Sequence, residues 1–456
     1  MAKRINQGKF CLAILILFLA VSGAAISQEK IFLEELEARA RNLVENLRLG
    51  KYHQAGEHFD ETMKKQATPA FLKMIWEGLI SQTGAFRELR DSRFESKTPY
   101  YFVYLPCVFE KQILDLRVVF NHKGEIAGFS FVPHLEIKES PPPAYAGAEL
   151  FEEQEVEIKT GEWILPGTLT RPKGQGPFPA VILVHGSGPN DRDESIGPNK
   201  PFRDIAWGLA SQGIAVLRYD KRTKVYGQRI TSDPKLIAAF TVNDETVDDA
   251  LSAAELLRHI QGIDPNRIFI LGHSLGGMLI PRIALRDEKL SGFIILAGLT
   301  RPIEDSILEQ TKYLLALQGA LTEEGKKRLE ELEKVVARIK SLTEADRNSS
   351  ELLLGAAPAY WLDLRGYNPA EEARKIDRPM LILQGKRDYQ VTEVDFNQWK
   401  RALGEKKNVV FKIYPSCNHL FIEGKGLITP DEYLYKAGNV SEEVINDIAA
   451  WIKSIK

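Results

Sequence analysis

The sequence predicts an α/β protein: a doubly wound, mostly parallel sheet preceded by a small α+β domain. From Ala180 onward, short apolar runs alternate with helical segments, the pattern of parallel strands covered on both faces. Before Phe151 the order differs, with two helical stretches followed by three aromatic and β-branched runs, so that part is expected to fold around its own core. A chain of 456 residues with 44% hydrophobic content can fill both cores. Its net charge of −2 offers no strong field for nucleic acid or an anionic membrane, and neither is an expected partner.

Taken in order, residues 1–27 follow the grammar of a signal peptide. Lys3, Arg4 and Lys9 precede an apolar run from Phe10 to Val21, and small residues around Ala25 and Ser27 allow a cut before Gln28. The run is shorter than the ~20 residues of a spanning helix, so a secreted or periplasmic chain is expected rather than a stable anchor. Cys11 lies inside the run, which does not fit a lipoprotein cleavage site. Cys107 and Cys417 fall in different predicted domains and are expected to be buried free thiols.

Residues 29–135 form the predicted accessory domain. Leu33, Leu36, Ala40, Leu43 and Leu47 recur at steps of three and four, giving an amphipathic helix that Gly50 stops. A second helix is predicted around 70–80. Strands follow over 100–109, 113–120 and 126–131, the last two joined at Asn121–Gly124. His53, His58, His122 and His134 lack ligand spacing, so no metal is expected there. Residues 136–150 read as a proline-rich linker, because Pro141 to Pro143 can continue neither a helix nor a central strand.

Residues 151–456 form the predicted second domain. It opens with a hairpin turning at Thr160-Gly161 and continues through strands at 180–184, 215–219, 268–271, 293–297, 380–383 and 409–414. One piece breaks the alternation. Residues 298–375 carry no strand signal, while Leu329, Leu332, Val336 and Ile339 recur at helical spacing. Inserts of that length usually carry function, and this one is read as a helical lid.

The chemistry centres on Gly272-His273-Ser274-Leu275-Gly276, directly after an apolar run. Gly-x-Ser-x-Gly between a strand and a helix is a turn so tight that side chains at 272 and 276 would strike the neighbouring elements. Ser274 becomes a candidate nucleophile and the Leu275 amide an oxyanion donor. A serine needs a base and an acid. His419 follows the strand at 409–414 and Asp388 follows the strand at 380–383, so Ser, Asp and His each stand after a parallel strand, where open α/β sheets bind ligands. Asp363 or Glu393 as acid and His185 or His273 as base fit less well. A thiol nucleophile at Cys417 has no supporting motif. Glycines in His185-Gly186-Ser187-Gly188 let backbone approach the reacting centre, making the Ser187 amide, or less favourably Gly188, the second oxyanion donor. Asp191 and Asp193 could suggest a calcium loop, but no glutamate follows at the right interval.

Four motifs in order, His185 to Glu194, Arg218-Tyr-Asp-Lys-Arg222, Gly272 to Gly277 and Asn418-His-Leu-Phe421, resemble a branch of the α/β-hydrolase superfamily. That branch holds bacterial carboxylesterases of the Thermotoga EstD type, near the bile-acid-CoA thioesterases and dienelactone hydrolases. The resemblance covers the chain from Phe151 onward, and residues 29–135 resemble the accessory domain some of these esterases carry. It implies Ser274 as nucleophile, Asp388 as acid, His419 as base, and hydrolysis of small acyl esters without metal or cofactor. Thr223 departs from the glycine usual at that position. The same triad would serve an acyl thioesterase or acyltransferase, and a binding module on this fold would normally have lost part of it.

Overall fold

The computed structural model describes residues 23–97, 100–134, 139–317 and 323–455, in two compact units, Ala24–Glu136 and Ile137–Lys456. Of the predicted signal segment, residues 1–22 lie outside the described residues.

The first unit comprises α1 (Gly23–Arg48), α2 (Tyr52–Ala55), α3 (Glu61–Gln66) and α4 (Pro69–Thr83), then β1 (Phe86–Leu89), β2 (Arg93–Lys97), β3 (Tyr100–Phe109), β4 (Ile113–Phe120) and β5 (Ile126–Pro133). The strands form one antiparallel sheet in which β1 and β2 both pair with β3. Leu36, Ala40, Leu43 and Leu47 of α1 and Leu72 and Trp76 of α4 are buried with the inward row Val103, Leu105, Leu116, Val118 and Phe120. Thr68 caps α4, its hydroxyl accepting from Phe71 N ahead of Pro69 in the first turn.

In the second unit the proline-rich segment is no free linker. Ser140 Oγ donates to Gly438 O at 2.7 Å, Tyr145 OH donates to Val440 O at 2.7 Å, and Arg203 donates to Ser140 O at 3.1 Å. Prolines forfeit their own amides but leave carbonyls free, and Pro141 O accepts from Asn439 Nδ2 at 2.9 Å.

The chain then runs through β6 (Phe151–Thr160), β7 (Trp163–Pro172), β8 (Phe178–Val184), α5 (Pro201–Ala210), β9 (Ala215–Tyr219), α6 (Arg222–Ser232) and α7 (Pro234–Ala239). A π-helical turn over Asn243–Val247 leads into α8 (Asp248–Arg258). After it come β10 (Ile263–His273), α9 (Leu275–Arg286), β11 (Gly292–Leu296), α10 (Ile303–Ala316), α11 (Glu323–Ser341), α12 (Pro358–Leu364) and α13 (Pro369–Ala373). The last elements are β12 (Met380–Gly385), α14 (Glu393–Leu403), β13 (Val409–Tyr414), α15 (Pro430–Leu434) and α16 (Glu442–Ser454). The eight strands form one sheet in the order β13-β12-β11-β10-β8-β9-β7-β6, antiparallel only where β7 pairs with β6 and β9. This is the α/β-hydrolase architecture.

The sheet order positions the site. From β8 the chain moves outward to β9, then returns to β10 on the other side of β8 and continues to β13. The β8/β10 boundary is therefore the topological switch point, where ligands bind beyond the carboxyl ends of the strands. The loops leaving β8, β10, β12 and β13 at this edge carry Gly186, Ser274, Asp388 and His419.

Candidate active site

Ser274 stands between β10 and α9 at φ 54° and ψ −114°, a backbone region that L-residues rarely occupy. The turn is held at both ends, with Ser274 N donating to Leu296 O and Met278 N donating to Ser274 O, each at 2.9 Å. A Cβ on Gly272 would lie 2.3 Å from Gly276 O, and one on Gly276 would lie 2.2 Å from Val184 O. Neither position tolerates a side chain. As the first residue of α9, Leu275 has an amide with no acceptor inside its own helix, at the positive end of the helix dipole.

His419 and Asp388 meet. His419 Nδ1 lies 2.6 Å from Asp388 Oδ2, while Asp388 Oδ1 accepts from Gln390 N at 2.7 Å and Val391 N at 3.0 Å. With Nδ1 committed to the carboxylate, Nε2 is the nitrogen of His419 left for a serine proton. The weaker candidates are occupied elsewhere. Asp363 pairs with Arg282 at 2.7 Å, and Glu393 is exposed in the first turn of α14. His185 Nε2 lies 3.0 Å from Asp191 O, and burial lowers its pKa to about 4, so it is neutral. Burial pushes the Cys417 thiol up to about 12 and that of Cys107 likewise, which leaves both unreactive. The carboxylates of Asp191 and Asp193 are used within the protein, by Ser195 N at 2.9 Å and Arg218 Nε at 2.8 Å. Among the described residues no cluster of His, Cys, Asp or Glu could hold a metal ion.

The loop after β8 packs against the serine, since a Cβ on Gly186 would sit 3.1 Å from Ser274 Cβ. Gly186 is gripped on both sides, its amide donating to Glu194 Oε1 at 2.6 Å and its carbonyl accepting from Lys221 Nζ at 2.8 Å and Asn190 Nδ2 at 3.2 Å. The 186–187 peptide is trans, so the Ser187 N–H points away from Lys221.

Sequence reasoning missed a buried ion pair behind the serine. His273 Nδ1 lies 2.8 Å from Glu194 Oε2, a charge contact not aligned as a hydrogen bond, and His273 Nε2 lies 2.9 Å from His419 O. The carbonyl makes Nε2 a donor and the carboxylate calls for a proton at Nδ1. Burial opposes charge on His273, but Glu194 and the His419 carbonyl outweigh it and raise its pKa. Burial likewise works to raise Glu194, but His273 prevails and holds it below the usual carboxylate range. Glu194 belongs to a motif read from the sequence only as a loop; a glutamate ending a glycine-rich run was its one signal.

Residues 177–424 match the family described as Serine aminopeptidase, S33, and residues 40–129 match a family of unknown function, DUF3887. Esterase EstD of Thermotoga maritima is 38% identical over 407 residues, covering 88% of this chain and 93% of that protein. The chain belongs to this family of α/β-hydrolase esterases. Solved α/β-hydrolase structures that it matches include an esterase of Pyrococcus furiosus, 17% identical with a TM-score of 0.43, covering 71% of this chain and 99% of that one. Est1E of Butyrivibrio proteoclasticus is 16% identical with a TM-score of 0.42, covering 66% and 98%. Thr223, the departure from the resembled motif, falls in the first turn of α6, with its hydroxyl buried and without a hydrogen-bond partner among the described residues.

Proposed function

We propose that this chain is an exported serine carboxylesterase cleaving short acyl esters through an acyl-enzyme on Ser274. The observation that carries the reading is the His419–Asp388 contact, at the same sheet edge as a serine held in strained backbone. Ser274 Oγ attacks the ester carbonyl as His419 Nε2 takes its proton, and Asp388 steadies the imidazolium that forms. The amides of Leu275 and Ser187 receive the oxyanion. Collapse expels the alcohol, which takes the proton back from His419. Water, deprotonated by the same nitrogen, then frees the acid and restores the serine.

The preference for short chains rests on the insertion at 298–375. Tyr313 of α10 stacks on Tyr389, the residue after Asp388, with ring centroids 4.8 Å apart and planes at 12°. Tyr313 OH also donates to Ile428 O at 2.9 Å, in the segment following His419. Helix α11 turns Val336 and Ile339 inward, and we read the α10–α11 pair as a lid bounding the acyl pocket.

A fluorophosphonate probe with peptide mapping, followed by a p-nitrophenyl ester series, a thioester and an aminoacyl anilide, tests the reading. Labelling of Ser274 and fastest turnover of short esters are expected. Faster turnover of the thioester would move the assignment to a thioesterase, faster turnover of the anilide to the activity named by the matched family, and absence of labelling would remove the serine mechanism.

A further inference from the structure

Gly186 brings backbone close to Ser274, a Cβ there lying 3.1 Å from Ser274 Cβ, and its freedom in ψ also makes the 186–187 peptide easy to rotate. Rotated by half a turn, that peptide would present a carbonyl where the mechanism needs an amide. What holds it is the pair of donors on Gly186 O, chiefly Lys221 Nζ at 2.8 Å. Lys221 is 1% exposed, and an ammonium so buried requires a counter-charge. Glu245 supplies it, with Oε1 2.8 Å from Nζ. Glu245 sits in the π-helical turn before α8, a geometry that inserts a residue and redirects side chains. Its other oxygen accepts from Tyr360 OH at 2.7 Å, and Tyr360 belongs to α12 inside the insertion.

We propose that Lys221 is a positioning residue of the oxyanion hole, fixing the Ser187 amide through the Gly186 carbonyl, with Glu245 and Tyr360 tying this setting to the inserted helices. The proposal rests on the reading of Ser187 as an oxyanion donor. A lysine present only for stability would leave transition-state binding unchanged once its charge is balanced by other means.

The test is the double variant Lys221→Met with Glu245→Gln, which removes both charges together and leaves an amide oxygen able to accept from Tyr360. On a p-nitrophenyl ester kcat is expected to fall about 100-fold with KM little changed, the loss typical of one oxyanion donor. Affinity for a trifluoromethyl ketone, whose adduct with Ser274 carries the oxyanion, should fall by the same factor as kcat/KM. A folded double variant with kcat and ketone affinity within about threefold of the parent overturns the proposal. If the double variant does not fold, Tyr360→Phe, which removes one hydroxyl, decides: a severalfold fall in kcat matched by ketone affinity supports the proposal, and no change in either overturns it. Ser274→Ala separates the two levels of inference. An active Ser274→Ala removes the serine mechanism itself, whereas an inactive one beside a fully active double variant removes only the role of Lys221.

Discussion

Asp388→Asn is a sharp test because the surrounding amides dictate which way the new side chain must face. Asp388 Oδ1 accepts from Gln390 N and Val391 N, and only an oxygen can replace it there. The NH₂ group of asparagine is therefore forced into the position of Oδ2, 2.6 Å from His419 Nδ1. Gln384 Nε2, 3.4 Å from Oδ2, adds a second donor to that side and does not restore the acceptor. Facing a donor, His419 Nδ1 must present its lone pair and carry its proton on Nε2, the nitrogen that has to accept from Ser274. The substitution thus keeps shape and volume while imposing the wrong tautomer. A fall in kcat of about 10⁴-fold is expected, equivalent to about 5.4 kcal/mol of barrier. Steady-state hydrolysis of a short p-nitrophenyl ester measures it, with thermal denaturation as the check on folding. A folded variant retaining more than about a tenth of kcat would refute the assignment. Should Asp363→Asn prove the damaging change, the acid is the partner of Arg282 instead.

Three further outcomes are expected. Ser274→Ala should lower kcat by about 10³-fold or more at unchanged Tm, whereas Ser274→Gly, equally inactive, should gain on the order of 1 kcal/mol by relieving the positive φ, as chemical denaturation would measure. Glu194→Gln should change how stability depends on pH: His273, its pKa raised above 6.5, stabilises fully below 6.5 and loses this as pH rises through the raised value, while Glu194, lowered below 4.5, contributes above 4.5 and loses this as pH falls through the lowered value. The advantage of the parent over the variant should therefore be largest between those two ordinary values and shrink as pH rises through the raised value of His273 or falls through the lowered value of Glu194, and an advantage that stays flat in denaturation curves would contradict the charged pair. Replacing α11 by a short linker should flatten a chain-length profile that otherwise falls beyond about eight carbons, and should lower kcat; an unchanged profile and rate would make the insertion a bystander.

Much of the fold was legible because burial leaves periodic traces. The stripe from Leu36 to Leu47 and the apolar runs at Ala180, Ile268, Phe293 and Met380 are core positions in the structure. Strands β1 and β2 escaped because Phe86–Leu89 and Arg93–Lys97 are short and interrupted by charge, and pairing with β3 defines them more than their own composition does. Helix α6 escaped because its sequence is polar, with only Arg222 and Ile230 buried, and α7 because its 6 residues are too few to show a helical period. The proline run misled because its composition does exclude helix and sheet, yet says nothing of the carbonyls that bind it down.

At the site, the sequence pointed to single residues at strand ends and not to the pairs that join one motif to another. The loop from His185 to Glu194 and the motif Arg218 to Arg222 were read as separate marks of one family, but they are stitched together residue by residue. Arg192 pairs with Asp220 at 3.1 Å, Asp193 with Arg218 at 2.8 Å, and Lys221 holds Gly186 O. The two ion pairs match opposite charges and the Lys221 ammonium meets a carbonyl oxygen, so neither motif holds its shape alone. Glu194 makes the same kind of link in the other direction, from Gly186 N to His273 and on to the carbonyl of His419. A glycine-rich loop beside a nucleophile gains access at the cost of rigidity, and these buried charges return the rigidity from neighbouring elements. Substitutions at Arg218, Asp220 or Lys221 should accordingly lower kcat more than they raise KM, although none of the three is a catalytic residue.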